Sequence, residues 1–133
     1  MRIFVDTSGY FSLLDPNDHN HQAAHQIWQQ VLENDDILTT SNYILLETTV
    51  LVQHRLGMAA NAAFQDTFAP LAEVCWIDQE THQAGVAALL TANRRQLSLV
   101  DCISFEMCRR FGITNVFAFD QHFREQGFTL LSH

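Results

Sequence analysis

The chain has 133 residues, 47% of them hydrophobic and 17% charged, which fits one folded domain over residues 1–133 and excludes a disordered or fibrous protein. The formal net charge of −8, with seven Arg and no Lys, argues against a broad basic face for nucleic acid, although metal ions gathered by carboxylates would reverse the charge locally. No apolar run approaches the roughly 20 residues of a membrane-spanning helix, and a strand starting at the second residue leaves no room for a signal peptide, so a cytoplasmic protein without a membrane partner is expected.

In chain order, the apolar run Ile3-Phe4-Val5 predicts a strand over residues 2–5 that ends at Asp6. A short helix from Thr7 or Ser8 stops before Asp15-Pro16-Asn17-Asp18. A second helix runs from about Asn20 to Glu33, with Ala24, Ile27, Trp28, Val31 and Leu32 on one face. After the turn Asn34-Asp35-Asp36 comes a short strand, Ile37-Leu38-Thr39, and then a helix capped by Ser41 or Asn42 and stopped by Gly57. Residues 58–68 are Ala-rich and helical, and Pro70 breaks them before a strand from about Glu73 to Ile77. Asp78 caps a helix to about Leu90, and Ala92 to Gln96 is a polar connection. A helix from Leu99 to Phe111 stops at Gly112, a strand covers 115–119, and a turn at Asp120, a short helix and a strand at 128–130 close the chain. The alternation of apolar strands and helices predicts an α/β protein, a three-layer α/β/α domain with a mostly parallel central sheet.

Four acids carry the functional signal. Asp6 and Asp120 end apolar strands, where open α/β sheets place their ligand sites. Glu47 has Tyr43, Ile44, Val50 and Leu51 three and four positions away, so it faces an apolar surface and needs a hydrogen bond or a cation. Asp101 lies on the first turn of the helix that begins at Leu99. Singly, Asp6 and Asp120 also read as helix N-caps and Ser98-x-x-Asp101 as a capping box, whereas Glu47 has no such role and its plain alternative is an ion pair with an Arg. Together they describe a crevice of mutually repelling carboxylates that Mg²⁺ or Mn²⁺ would relieve, a site suited to phosphodiester hydrolysis.

Smaller signals surround them. Arg94 and Arg95 could meet substrate phosphates at the rim of the crevice or belong to a solvated loop, and Arg109 and Arg110 suit a helix C-terminus. His122, two residues past Asp120, could touch a phosphate or lie on a helix surface. His19, His21 and His25 invite a zinc reading, but no Cys or acid nearby completes the set. Cys75, Cys102 and Cys108 have no CxxC spacing and read as free thiols.

Ile3-Phe4-Val5-Asp6-Thr7-Ser8, Leu45-Leu46-Glu47, the segment Leu97 to Ser104, Phe119-Asp120-Gln121-His122-Phe123 and the closing Gly127-Phe128 together resemble PIN-domain ribonucleases, in particular the small prokaryotic toxins of VapBC-type toxin–antitoxin pairs. The resemblance implies a metal-dependent endoribonuclease using Mg²⁺ or Mn²⁺, with Asp6, Glu47, Asp101 and Asp120 as its acidic quartet. It further implies that Thr7 or Ser8 supports the first acid, that the chain forms a homodimer, and that a small antitoxin is its partner besides RNA. The lysine-free, acidic chain departs from the more basic surface of many RNA-cutting members. A phosphatase of the haloacid-dehalogenase type would need a second Asp where Ser8 stands, and a Lys. A response-regulator-like metal site would need an acidic pair before Asp6 and a Lys opposite. A PIN fold retained as a binding or scaffold protein in RNA processing is the alternative left.

Overall fold

A computed structural model describes residues 1–132. Five strands, β1 (Arg2–Val5), β2 (Ile37–Ser41), β3 (Glu73–Cys75), β4 (Asn115–Phe117) and β5 (Thr129–Leu130), form one all-parallel sheet in the order β3-β2-β1-β4-β5. Ile3, Phe4 and Val5 are fully buried, as a central parallel strand covered on both faces requires. Ile3 stands opposite Leu38 on one side and Asn115 on the other.

The helices are α1 (Thr7–Leu14), α2 (His21–Glu33), α3 (Asn42–Leu56), α4 (Met58–Ala63), α5 (Gln79–Ala92), α6 (Leu99–Phe111) and α7 (Gln121–Glu125). From β1 the chain builds outward to β2 and β3, then returns to the other side of β1 for β4 and β5. Right-handed crossovers therefore put α1–α4 on one face and α5–α7 on the other. The packing agrees: α1 touches α2 and α3, α3 touches α4, and α5 pairs with α6. Tyr10, Trp28, Phe64 and Phe117 form the aromatic core of the first face. Phe4, Phe105, Phe123 and Phe128 form that of the second.

Several expected boundaries move, each for a local reason. β4 ends at Phe117 rather than residue 119, because the Phe119 N–H leaves the ladder to donate to Ser8 Oγ at 2.9 Å. β3 ends at Cys75 rather than Ile77, whose N–H donates to Asn42 Oδ1 at 2.8 Å. The Ala-rich stretch is α4 followed by a π turn (Phe64–Phe68) and a 3₁₀ turn (Ala69–Leu71). In that turn Phe64 packs on Tyr10 and Phe68 on Trp28.

The sheet order fixes where a ligand site belongs. β1 and β4 are neighbours whose connections leave in opposite directions, so a crevice opens beyond their C-terminal ends. Asp6 follows β1, and Asp120 follows β4 by three residues.

Candidate active site

Asp6 caps α1: Ser8 donates to its Oδ2 from both the backbone N–H (3.1 Å) and the hydroxyl (2.7 Å). Because the Phe119 N–H donates to the same Ser8 hydroxyl and the Asp6 N–H donates to Phe117 O at 3.1 Å, Ser8 ties the tip of β1 to the tip of β4. Gly9 allows this closeness, since a Cβ there would lie 2.6 Å from Phe117 O. Asp6 is buried, and burial pushes its carboxyl up to about 7, with the Ser8 bonds opposing and the charges of Asp101 and Glu47 adding to the rise.

Glu47 lies half-buried on α3, one and a half turns in. Burial raises its pKa, a hydrogen bond from the Thr7 hydroxyl opposes this, and the charges of Asp101 and Asp120 raise it further. Thr7 can donate because its own oxygen accepts from the buried Thr48 hydroxyl at 3.0 Å. Thr7 and Ser8 thus divide the supporting task, one on Glu47 and the other on Asp6. The apolar surface beside Glu47 is an open groove rather than core. It has a volume of about 510 Å³ and includes Tyr43, Leu46, Val50 and Val100, with Leu46 and Val50 exposed.

Asp101 makes the expected capping box: it accepts from Ser98 N–H at 3.2 Å while its own N–H donates to Ser98 Oγ at 3.0 Å. Burial raises its pKa, the Ser98 backbone bond opposes, Asp120 raises it and His122 lowers it. Asp120 caps α7 by accepting from the His122 N–H at 2.9 Å. Asp6 and Asp120 are thus N-caps and Asp101 the third residue of a capping box begun by Ser98, while the charges of Asp6 and Glu47 act on one another and on Asp101. Each is bonded to a helix start through one oxygen, Oδ2 of Asp6 and Asp101 and Oδ1 of Asp120.

Among the described residues, no ion pair engages Asp6, Glu47 or Asp101, which removes the Arg-paired alternative for Glu47. The ligand atoms of Asp101, Asp120 and His122 lie within 4.8 Å of one another. Buried carboxylates with depressed acidity, a nearby imidazole and no balancing cation fit a divalent metal ion by their donor chemistry. His122 is drawn into this group instead of lying on the helix surface, with its side chain only 18% exposed.

The arginines fall elsewhere. Arg94 pairs with Glu125 at 3.1 Å, while the neighbouring Arg95 is exposed. Arg109 donates to Gln126 and stacks over Phe105 and Phe128, and Arg110 pairs with Glu80 at 3.5 Å. His21 Nδ1 bonds Ser12 O at 2.8 Å and its ring abuts that of His25, so His19, His21 and His25 form no metal group among the described residues. The three cysteines are free.

This arrangement has relatives. The chain is 33% identical over 127 residues to the 23S rRNA-specific endonuclease VapC20 of Mycobacterium tuberculosis, covering 95% of each protein. The crystal structure of Mycobacterium tuberculosis VapC20, a sarcin–ricin-loop-cleaving toxin, superposes with a TM-score of 0.88 at 30% identity, covering 98% of this chain and 99% of that one. VapBC2 from Rickettsia felis, bound to a promoter DNA fragment, shares the fold with a TM-score of 0.72 at 11% identity and 98% coverage of both chains. FitAcB from Neisseria gonorrhoeae does so with a TM-score of 0.68 at 14% identity, covering 97% of this chain and 96% of that one. The PIN domain model matches residues 3–128, a span that contains all four acids, and the chain belongs to the PIN domain family.

Proposed function

We propose that this protein is a metal-dependent endoribonuclease, the toxin of a type II toxin–antitoxin pair, built as one domain over residues 1–133 and acting in the cytoplasm. What supports the reading is that the charges of Asp6, Glu47, Asp101 and Asp120 act on one another, that Asp101 and Asp120 offer oxygens within 4.8 Å of each other, and that no Arg among the described residues pairs with any of the four. A protein kept only as a scaffold gains nothing from such repulsion, so catalysis is favoured over the binding-protein alternative. The full-length similarity to a 23S rRNA-specific endonuclease makes ribosomal RNA the first substrate to test. VapBC2 and FitAcB support an antitoxin partner, and the apolar groove beside Glu47 offers such a partner a surface. Homodimerisation is part of the same proposal.

In this reading the four carboxylates hold Mg²⁺ or Mn²⁺, and when bound the ion supplies Lewis-acid charge on the scissile phosphate and lowers the pKa of water. Ser8 fixes Asp6 with two hydrogen bonds, so that acid does not have to reorganise as the substrate arrives, and the Thr7 hydroxyl favours the charged form of Glu47. The capping bonds hold one oxygen of Asp101 and of Asp120 in place on the protein. Exposed Arg95 meets the RNA backbone at the rim.

The test is cleavage of purified ribosomes and of total RNA, with Mg²⁺ or Mn²⁺ and with chelator. The wild type cleaves only with metal, and Asp6→Asn or Asp101→Asn loses cleavage by about a hundredfold or more while keeping its circular dichroism spectrum. Undiminished cleavage by either folded variant would remove the assignment.

A further inference from the structure

The start of α7 places one residue the acidic quartet does not account for. The His122 N–H caps onto Asp120 Oδ1, and the side chain folds back so that its Nε2 lies 4.0 Å from that same oxygen. This is too long for a hydrogen bond. It is within the span of two donors to one ion, given metal–donor bonds of about 2.0–2.2 Å. Asp101 shares the cluster, all three ligand atoms lying within 4.8 Å of one another.

The far side of the ring is also occupied. His122 Nδ1 is buried, makes no hydrogen bond of ordinary length, and faces Glu125 Oε2 at 3.6 Å, one turn along the helix. That carboxylate oxygen is in turn held at 3.1 Å by Arg94 Nη1. A carboxylate behind one ring nitrogen is how metal-binding imidazoles are oriented: it draws the N–H to itself and turns the other nitrogen's lone pair outward. With the N–H on Nδ1, the Nε2 lone pair stands 4.0 Å from Asp120 Oδ1, an arrangement that repels unless a cation lies between them. The ring is rigidly presented, because the next residue, Phe123, is fully buried against Phe4 and Phe105 at centroid distances of 6.0 and 5.0 Å.

We propose that His122 is a nitrogen donor of the carboxylate site, positioned by the Arg94–Glu125 pair, and that it shifts the site's preference from Mg²⁺ toward transition-metal ions. The proposal rests on the metal-dependent reading above. Mg²⁺ takes oxygen ligands and gains little from an imidazole, whereas Co²⁺, Ni²⁺ and Zn²⁺ bind nitrogen well. Arg94 then acts through Glu125 on the ring as a positioning residue, rather than on RNA.

The test is calorimetric titration of the full-length protein with Co²⁺ and with Mg²⁺, for the wild type, His122→Ala, Glu125→Gln and Asp101→Asn, together with pulsed EPR of the wild type loaded with Mn²⁺. We expect His122→Ala to lose Co²⁺ affinity about tenfold or more, Glu125→Gln to lose it several-fold, and both to bind Mg²⁺ within about threefold of wild type. Asp101→Asn should lose both ions. The Mn²⁺ spectrum should show a directly coupled ¹⁴N, a readout that needs no variant to fold. Wild-type Co²⁺ binding by His122→Ala, or a Mn²⁺ spectrum without nitrogen coupling, overturns the role of His122 and leaves the carboxylate site standing. A wild type that binds no divalent ion overturns both this inference and the metal-dependent reading.

Discussion

Asp6, Asp101 and Asp120 each hold a helix start through one carboxylate oxygen. Capping and ligand binding compete as explanations of these residues in the sequence; the structure contains the capping bonds, and in the proposed reading the same bonds hold the carboxylates in place. Asp6 shows what this costs the metal-free protein. Its carboxyl takes up a proton near pH 7 in the folded chain and near 4 in the unfolded one, because burial, and secondarily Asp101 and Glu47, disfavour its charge. Between these values the folded state binds more protons, so this group's contribution to stability is full below about pH 4 and lost as pH rises through 7. In chelator, the denaturation midpoint should therefore fall between pH 5 and 8 by more in the wild type than in Asp6→Asn, a difference on the order of a few kcal/mol. Parallel pH profiles for the two proteins would contradict the burial of a charge at Asp6. Arg95, exposed where Arg94 is paired, gives a second prediction. Arg95→Ala should weaken binding of catalytically inert protein to single-stranded RNA and reduce the salt slope by about 0.7, and an unchanged slope would return Arg95 to the solvated loop. The acids were legible because each stands against an apolar background. The place of His122 was not, because its orientation depends on Glu125 and on Arg94, which is 31 residues from Glu125 in sequence.

At the scale of elements, the site depends on how tightly α1 meets the end of β4. Gly9 packs on Phe117 O so closely that an added Cβ would stand 2.6 Å away, against backbone that cannot swing aside. Gly9→Ala should destabilise the fold by about 1–3 kcal/mol and reduce cleavage more than stability alone explains, since it pushes Ser8 from Phe119 and Asp6 with it. Urea melts and cleavage rates at a temperature where the variant is folded separate the two effects; wild-type activity in the folded variant would show that the α1–β4 contact does not position the site. Element order was readable because hydrophobic periodicity and caps such as Ser41, Asp78 and Gly112 are local signals. The ends of β3 and β4 were not, because Asn42 and Ser8 compete for their backbone N–H groups from distant parts of the chain. Nor does the Ala-rich stretch signal its π turn, which exists to bring Phe64 and Phe68 onto Tyr10 and Trp28.

On the scale of the whole molecule, the β3-β2-β1-β4-β5 order sends α3 and α6 to opposite faces, and the charges of Glu47 on one and Asp101 on the other still act on each other. The central claim is that the four carboxylates share a divalent cation, and thermal melts with Mn²⁺ and with chelator test it most directly. An ion that binds only the folded state at a hundred times its dissociation constant adds about 2.7 kcal/mol, or roughly 10 °C for a chain of this size. Wild type should rise by that amount with Mn²⁺. Glu47→Gln and Asp120→Asn should melt in chelator at or above the wild-type temperature, because repulsion is relieved, and should lose most of the Mn²⁺ rise. No Mn²⁺ shift in the wild type, or equal shifts in all three proteins, would contradict a shared ion.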